Sequence, residues 1–472
     1  MDRHAVIWSR AGQAPVKMGD LVVTDQETRF SYAESFLDSG NPDGLSLIAP
    51  PSLYGREPVI FKSRQGFPFH PRLMAFVPGH GRNNIQRRVY EKILAARPNP
   101  PAPGLDTDWE IILLAAQNGI GHIDIFRDDM AAEKWYTAKR EQVITQADRR
   151  TFWHMIREDI AQDMEVMDAG LIAKVLGPTP SVGGMIPKLL VSIPDSNGGG
   201  RKDWDGRFAN AGTRSVNGIP YIDVLLKVEP REYEGVVALE SLCLDIHQDL
   251  GFRVPRHWAA EMDGMRLLAV ERFDRQDGRS IPMESFFSIF AGGSASFSGN
   301  EDTDWEEAAG WLDKLAELAS MDVSSTQKEL YRRIILAFCT GNGDMHLENM
   351  SLLGGSKNAV LAPVYDPAPM RAWPQHDTRS AVPFPIDEEV GFFGSLAKMG
   401  TAFGFTKRES LDVLEEMLVA TREYPSMVRT LVNVPADRRE RLATVVEKEH
   451  RALEEALSGM KRSRSTGSGR GR

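Results

Sequence analysis

The sequence predicts an α+β protein with a β-rich N-terminal subdomain and an all-helical C-terminal half. Three observations carry this. Residues 1–127 hold short alternating stretches, Asp20-Leu21-Val22-Val23 and Arg29-Phe30-Ser31-Tyr32, with the period-two pattern of half-buried strands. Residues 171–275 hold longer apolar runs at 189–193, 222–228 and 265–271 that read as strands. From Trp305 onward the apolar spacing turns helical.

A chain of 472 residues can build two or three domains, and 42% hydrophobic with 26% charged residues is ordinary for a soluble globular protein. Cys243 and Cys339 both sit in apolar helical runs, so buried thiols in a reducing cytoplasm are expected. No signal-peptide pattern opens the chain, and no apolar run approaches the ~20 residues that span a bilayer. The expected localisation is cytoplasmic, with no membrane contact. A net charge of −10 argues against the chain body wrapping nucleic acid. The tail 460–472 reverses that balance, with five basic residues and no acid after Met460. It is expected to be disordered, solvating or in weak contact with DNA.

In chain order, a helix is expected from about Asn84 to Ala96, with Ile85, Val89, Ile93 and Leu94 on one stripe. Pro98, Pro100, Pro101 and Pro103 make a stiff connector, and a second helix covers 109–117, closing on Asn118-Gly119. Residues 128–170 are charged helix formers, expected as a helical connector. Ser181-Val182-Gly183-Gly184-Met185-Ile186-Pro187-Lys188 then precedes a strand. Its two glycines allow either a plain turn or a loop whose N–H groups approach a phosphate. Gly198-Gly199-Gly200 reads as a hairpin tip.

Lys227 ends the strand at 222–228; buried unpaired it is costly, so it snorkels to the sheet edge or meets an anion. The helix starting near Gly235 offers Glu240 as its partner. The strand at 265–271 ends in Glu271-Arg272-Phe273-Asp274-Arg275, where an inter-lobe hinge would fall. Backbone groups near Glu271 and Phe273 would meet a nucleotide base there, or an Arg–Asp pair would simply hold the strand end. Thr326-x-x-Glu329 reads as a capping box opening a helix with Leu330, Ile334, Ala337 and Phe338 inward. That helix delivers the chain to Gly341-Asn342-Gly343-Asp344. After a proline-punctuated segment, Thr406-x-x-Glu409 opens a helical region reaching about Gly459, interrupted near Pro425 and Pro435.

Asp344 and Asn349 lie five positions apart, and Asp366 follows in Tyr365-Asp366-Pro367. Phosphoryl transfer of the protein-kinase kind uses one Asp beside the attacking hydroxyl, with an Asn and a later Asp on Mg²⁺. The spacing alone also fits an Asx-rich turn. The upstream order, from Gly-rich loop through Lys strand, Glu helix and hinge, shifts the balance toward a two-lobed protein-kinase-like fold.

That order resembles the HipA family of serine/threonine kinases, the toxin subunits of HipBA-type toxin–antitoxin pairs. The 181–188 stretch resembles the family's phosphate loop, and Ala269-Val-Glu-Arg-Phe-Asp-Arg275 its hinge signature. Gly343-Asp-Met-His-Leu-Glu-Asn349 resembles its catalytic loop, and Pro363-Val-Tyr-Asp366 its metal-binding segment. Phe69–Gly79 and Ala116–Gly121 resemble degraded parts of its N-terminal subdomain. The resemblance implies a HipA N-terminal-like subdomain over 1–127, a kinase N-lobe over 171–275 and a helical C-lobe over 276–459.

It further implies ATP and Mg²⁺ as cofactors, with Asp344 as catalytic base and Asn349 and Asp366 as metal ligands. Val182, Gly183, Gly184, Lys188, Lys227, Glu240, Glu271, Phe273 and His346 would line the ATP site, although His346 is as well read as a packing residue. Ser181 falls at the autophosphorylated serine, where a phosphate of about −1.5 to −2 charge would switch the enzyme off. The implied partners are a protein substrate, belonging to the translation machinery, and a small DNA-binding, HipB-like antitoxin, with DNA touched only indirectly or through the basic tail. The chain departs from the family at Met185 and Ile186 in the phosphate loop, at Glu348 where relatives commonly carry Lys, and in a long insertion around 128–165. These departures keep two other readings open: a small-molecule phosphotransferase, and an inactive relative acting as a nucleotide-dependent binding module.

Overall fold

The computed structural model describes residues 2–40, 42–80, 84–138, 186–195, 204–262 and 264–467. The phosphate-loop residues Ser181, Val182, Gly183 and Gly184, the connector from 139 to 170, the triple glycine at 198–200 and the last five residues lie outside these ranges.

The N-terminal region is an antiparallel sheet of β1 (Arg3–Ser9), β2 (Val16–Val23), β3 (Glu27–Tyr32), β4 (Val59–Lys62) and β5 (Ile123–Phe126), in the order β4-β3-β2-β1-β5. Alternation puts Leu21, Val23, Phe30 and Tyr32 in one core with Trp109 and Ile112, and a bulge in β2, where Ile7 pairs Gly19 and Trp8 pairs Lys17, turns Met18 into it as well. Gly19 is required there: a Cβ would stand 2.1 Å from the Ser31 carbonyl oxygen. The longer helices beside the sheet are α1 (Ile85–Ala95), α2 (Leu105–Ala115) and α3 (Asp129–Thr137), with single-turn helices at Glu34–Leu37, Pro51–Tyr54 and Pro71–Met74. The expected boundaries of α2 need correction. Gly104, at φ 88°, releases the chain from the proline run, and Asp106 and Asp108 favour an N-terminal turn, so the helix starts at Leu105. It is capped at Ala116; Asn118, at φ 58°, belongs to the following loop.

A second sheet follows, from β6 (Lys188–Pro194), β7 (Ala209–Asn210), β8 (Ser215–Val216), β9 (Ile219–Val228), β10 (His257–Met262) and β11 (Met265–Glu271). Its order is β10-β11-β9-β6-β7, with β8 paired to β9. The central strands are apolar on both faces because α4 (Val236–Asp249) covers one side and Trp204, Phe208 and Trp258 pack on the other.

The C-terminal part is helical, with α5 (Phe286–Gly293), α6 (Trp305–Leu315), α7 (Val323–Thr340), α8 (Gly391–Met399), α9 (Lys407–Ala420), α10 (Tyr424–Thr430) and α11 (Ala436–Gly467). It is not purely helical, since the short pair β12 (Arg275–Gln276) and β13 (Arg279–Ser280) precedes a three-stranded sheet of β14 (Met283–Ser285), β15 (Ser351–Leu353) and β16 (Val360–Leu361). Gly354 and Gly355, both at positive φ, turn β15 back onto β16. The capping box expected at Thr326 is overturned. Asp322 caps α7 by accepting from Ser325 N at 2.9 Å, and Thr326 Oγ1 donates back to the Asp322 carbonyl at 2.7 Å inside the first turn. The box at Thr406 and Glu409 does form. The tail expected to be disordered from 460 starts as helix: α11 runs on through Gly467, since Lys and Arg prolong a helix well. Cys243 and Cys339 are free, buried thiols. Among the described residues no helix is long and apolar enough to cross a membrane.

Candidate active site

The site is assembled where the second sheet meets the C-terminal helices. Lys188 and Lys227 are direct cross-strand partners of β6 and β9, so both side chains leave the same face of the sheet. Both are buried. Two ammonium groups so placed repel unless an anion lies between them, and Asp366 supplies it. Its Oδ1 is 2.6 Å from Lys227 Nζ and its Oδ2 is 3.2 Å from Lys188 Nζ. Lys227 also reaches Glu240 Oε1 on α4 at 2.5 Å. Burial opposes the charge on Lys227, but Asp366 and Glu240 raise its proton affinity above that of an ordinary lysine. Burial likewise opposes ionisation of Asp366, yet Lys188 and Lys227 hold its carboxyl well below the usual range.

Asp366 adopts φ 55°, a left-handed conformation that a short polar side chain tolerates. The preceding residue ties its segment to the loop at 344–349. The Tyr365 hydroxyl is 2.6 Å from Ser351 Oγ and donates to the Glu348 carbonyl at 2.8 Å.

That loop follows α7, whose C-cap Gly341 sits at φ 77°. Asp344 N donates to Asn342 Oδ1 at 3.1 Å, and the Asp344 carbonyl accepts from His346 N at 2.9 Å and Asn349 Nδ2 at 3.1 Å. With its Nδ2 so used, Asn349 keeps Oδ1 as its acceptor. Burial pushes the Asp344 carboxyl up, His346 pulls against it, and Asp366 reinforces it. Asp344 and Asp366 therefore share one electrostatic environment. His346 Nδ1 is 3.6 Å from Glu348, too far for a hydrogen bond, and is buried without a partner among the described residues.

At the expected hinge, the Glu271 N–H already donates to the Arg256 carbonyl at 2.8 Å, and the Glu271 carboxylate binds the Arg256 guanidinium at 2.7 and 2.9 Å. The Phe273 ring lies 5.8 Å from that of Tyr365. The Arg–Asp pair is real. Asp274 Oδ2 accepts from Arg272 and Arg275, each at 2.7 Å, and from Gly121 N at 2.8 Å. Both arginines also donate to the Gly119 carbonyl at 2.7 Å. The two stretches Ala269–Arg275 and Ala116–Gly121 are thus one interlock, which sequence reasoning missed as a contact.

The donor set suits Mg²⁺: hard oxygens from one carboxylate held ionised and one amide. Among the described residues no group of three His, Cys, Asp or Glu makes a tighter metal cage.

Residues 180–424, more than half of the chain, match the family model for the HipA-like C-terminal domain. The chain belongs to the HipA-like family. Two curated relatives share parts of this HipA-like chain. A Haemophilus influenzae protein, provisionally named a kinase, is 28% identical over 176 residues, covering 35% of this chain and 51% of that protein. The Sinorhizobium fredii protein Y4dM, also provisionally named a kinase, is 25% identical over 156 residues, covering 30% and 36%. The HipA-like chain thus spans about half, or less, of the length of these relatives. A chain from the Shewanella oneidensis MR-1 toxin–antitoxin complex of HipA, HipB and operator DNA has the same fold, with a TM-score of 0.63, 16% identity and coverage of 96% and 99%.

Proposed function

We propose that this HipA-like chain is an ATP- and Mg²⁺-dependent serine/threonine protein kinase. The observation that carries the reading is the convergence of Lys227, Glu240, Lys188 and Asp366 beside Asp344. A structural core has little use for two buried lysines sharing one carboxylate, whereas a cleft that takes a polyphosphate needs mobile positive charge of this kind. Lys227, oriented by Glu240, and Lys188 would bind phosphate oxygens. Asn349 Oδ1 and Asp366 would hold Mg²⁺, which when bound neutralises charge on the transferring phosphoryl group. Asp344 would orient the acceptor hydroxyl and take its proton; its raised proton affinity suits that task. The hydroxyl oxygen bonds to the γ-phosphorus as the bond to the β–γ bridging oxygen breaks, releasing ADP. Glu271 and Phe273 would meet the adenine, Glu271 through its carbonyl because its N–H is engaged.

By its family, the chain would act as a growth-inhibiting toxin on a protein of the translation machinery, restrained by a HipB-like DNA-binding antitoxin. The fold neighbour described with HipB and operator DNA supports the partner. Ser181 would be the autophosphorylated off switch, with Val182, Gly183 and Gly184 cradling phosphate.

Mass spectrometry after incubation with Mg-ATP, comparing the wild type with Asp344→Ala, tests the reading. Phosphate on Ser181 in the wild type alone is the expected result. Equal modification of both proteins would remove Asp344 from the mechanism.

A further inference from the structure

The segment that follows Asp366 is packed against the loop that bears Asp344. Arg371 N donates to the Gly341 carbonyl at 3.3 Å, and a Cβ on Gly343 would stand 1.9 Å from the Thr378 carbonyl oxygen. Its other side is anchored on α11. Arg371 and Arg379 both reach Glu449 at 2.9 Å, and Asp377 lies 3.3 Å from Arg441. The segment is therefore held on the Asp344 loop on one side and on α11 on the other.

Tyr233 reaches it from the side of α4. This residue lies three positions before α4, the helix that carries Glu240. Its hydroxyl is 2.9 Å from His376 Nε2, and its ring meets Trp373 edge-on with centroids 5.6 Å apart. Trp373 is core. His376 is only half-buried, and packing alone would be served as well by an apolar ring. Both Tyr233 and His376 are within electrostatic reach of Asp344, so their bond lies beside that carboxylate.

We propose that His376, gripped by Tyr233, is a positioning residue that locks the helix bearing Glu240 to the loop bearing Asp344. The pair sets how Glu240, and with it Lys227, sits relative to Asp344. This rests on the kinase reading above. Phosphoryl transfer needs its reacting atoms held within a fraction of an ångström, and a strut between the two halves of the site provides that.

The test measures kcat and KM for Mg-ATP, following labelled phosphate to any acceptor, protein or water. The proteins are the full-length wild type, Tyr233→Phe, His376→Phe, the double variant and His376→Gln. Each Phe variant is expected to lower kcat about tenfold, the rate equivalent of one hydrogen bond, with KM for Mg-ATP within about twofold. The double variant should be no worse than Tyr233→Phe, which also loses the bond of Tyr233 to the Gln375 side chain. His376→Gln, which keeps a polar atom facing Tyr233, should recover most of the rate. Unchanged kcat, additive losses, or losses that track melting temperature would overturn the positioning role alone. No transfer by the wild type would overturn the kinase reading and the positioning role together.

Discussion

Lys188 and Lys227 stand directly opposite each other on neighbouring strands, and their ammonium groups share the single carboxylate of Asp366. Like charges placed this way destabilise a sheet, so the carboxylate stabilises the fold. Asp366→Ala should therefore lower stability by about 3 kcal/mol, since it leaves Lys188 and Lys227 facing each other in a buried setting. Urea unfolding of the two proteins without nucleotide measures this. Added Mg-free ATP should restore part of the loss, because its phosphates supply the missing negative charge. A variant as stable as the wild type would mean that the lysines do not depend on Asp366.

A second prediction concerns pH. Burial pushes both His70 and His122 down to about 3, and both belong to the N-terminal region. Each is neutral in the folded chain, while in the unfolded chain it protonates near 6.5. The unfolded state therefore binds more protons below pH 6.5, and stability is lost as pH falls from there toward 3. The slope is about 1.4 kcal/mol per pH unit for each histidine. His122→Gln should flatten the acid side of a melting-temperature profile. A profile unchanged by that substitution would show that His122 already protonates in the folded protein.

Much of this was legible in the sequence, and the reasons differ from residue to residue. The apolar run ending in Lys227 announces a strand whose lysine must snorkel to the edge or find an anion, and Glu240 on the next helix is one of the two anions it finds. The acidic and amide residues of the loop at 344–349 are legible because their spacing is local. Register is not local: that Lys188 faces Lys227 depends on how two strands pair across the intervening chain. His376 lies in a proline-rich stretch with no periodicity, so nothing in the sequence announces its bond to Tyr233. The Asp274 interlock was half legible. The charged cluster shows that a pair forms, but not that it grips the loop from Asn118 to Gly121.

That interlock gives a third prediction. Burial alone would raise the Asp274 carboxyl, but Arg272 and Arg275 hold it well below the usual range. Its contribution is present above about pH 4 and is lost as pH falls below that. Asp274→Ala leaves two arginines beside carbonyls without their counter-charge, and should cost about 3–5 kcal/mol. The loss should appear first as faster hydrogen exchange at Gly119 and Gly121. Uniform exchange across the chain would instead mean that the interlock opens only on global unfolding.

The last prediction separates the two candidate starts of α7. Asp322 and Thr326 are both good capping residues, and Thr326 is also followed three positions on by Glu329, which could complete a capping box. In the structure the Asp322 carboxylate accepts from Ser325 N, so Asp322→Ala should destabilise the protein by about 1 kcal/mol. Thr326 lies one turn inside the helix, where its hydroxyl only repeats a bond to the Asp322 carbonyl. Alanine has the better helix propensity there, so Thr326→Ala should be neutral or slightly stabilising. Because α7 delivers the chain to Gly341 and Asp344, a start at Thr326 would remove its first turn and alter the packing that supports the loop. Denaturant midpoints for the two variants decide the matter: a larger loss for Thr326→Ala than for Asp322→Ala would move the helix start back to Thr326.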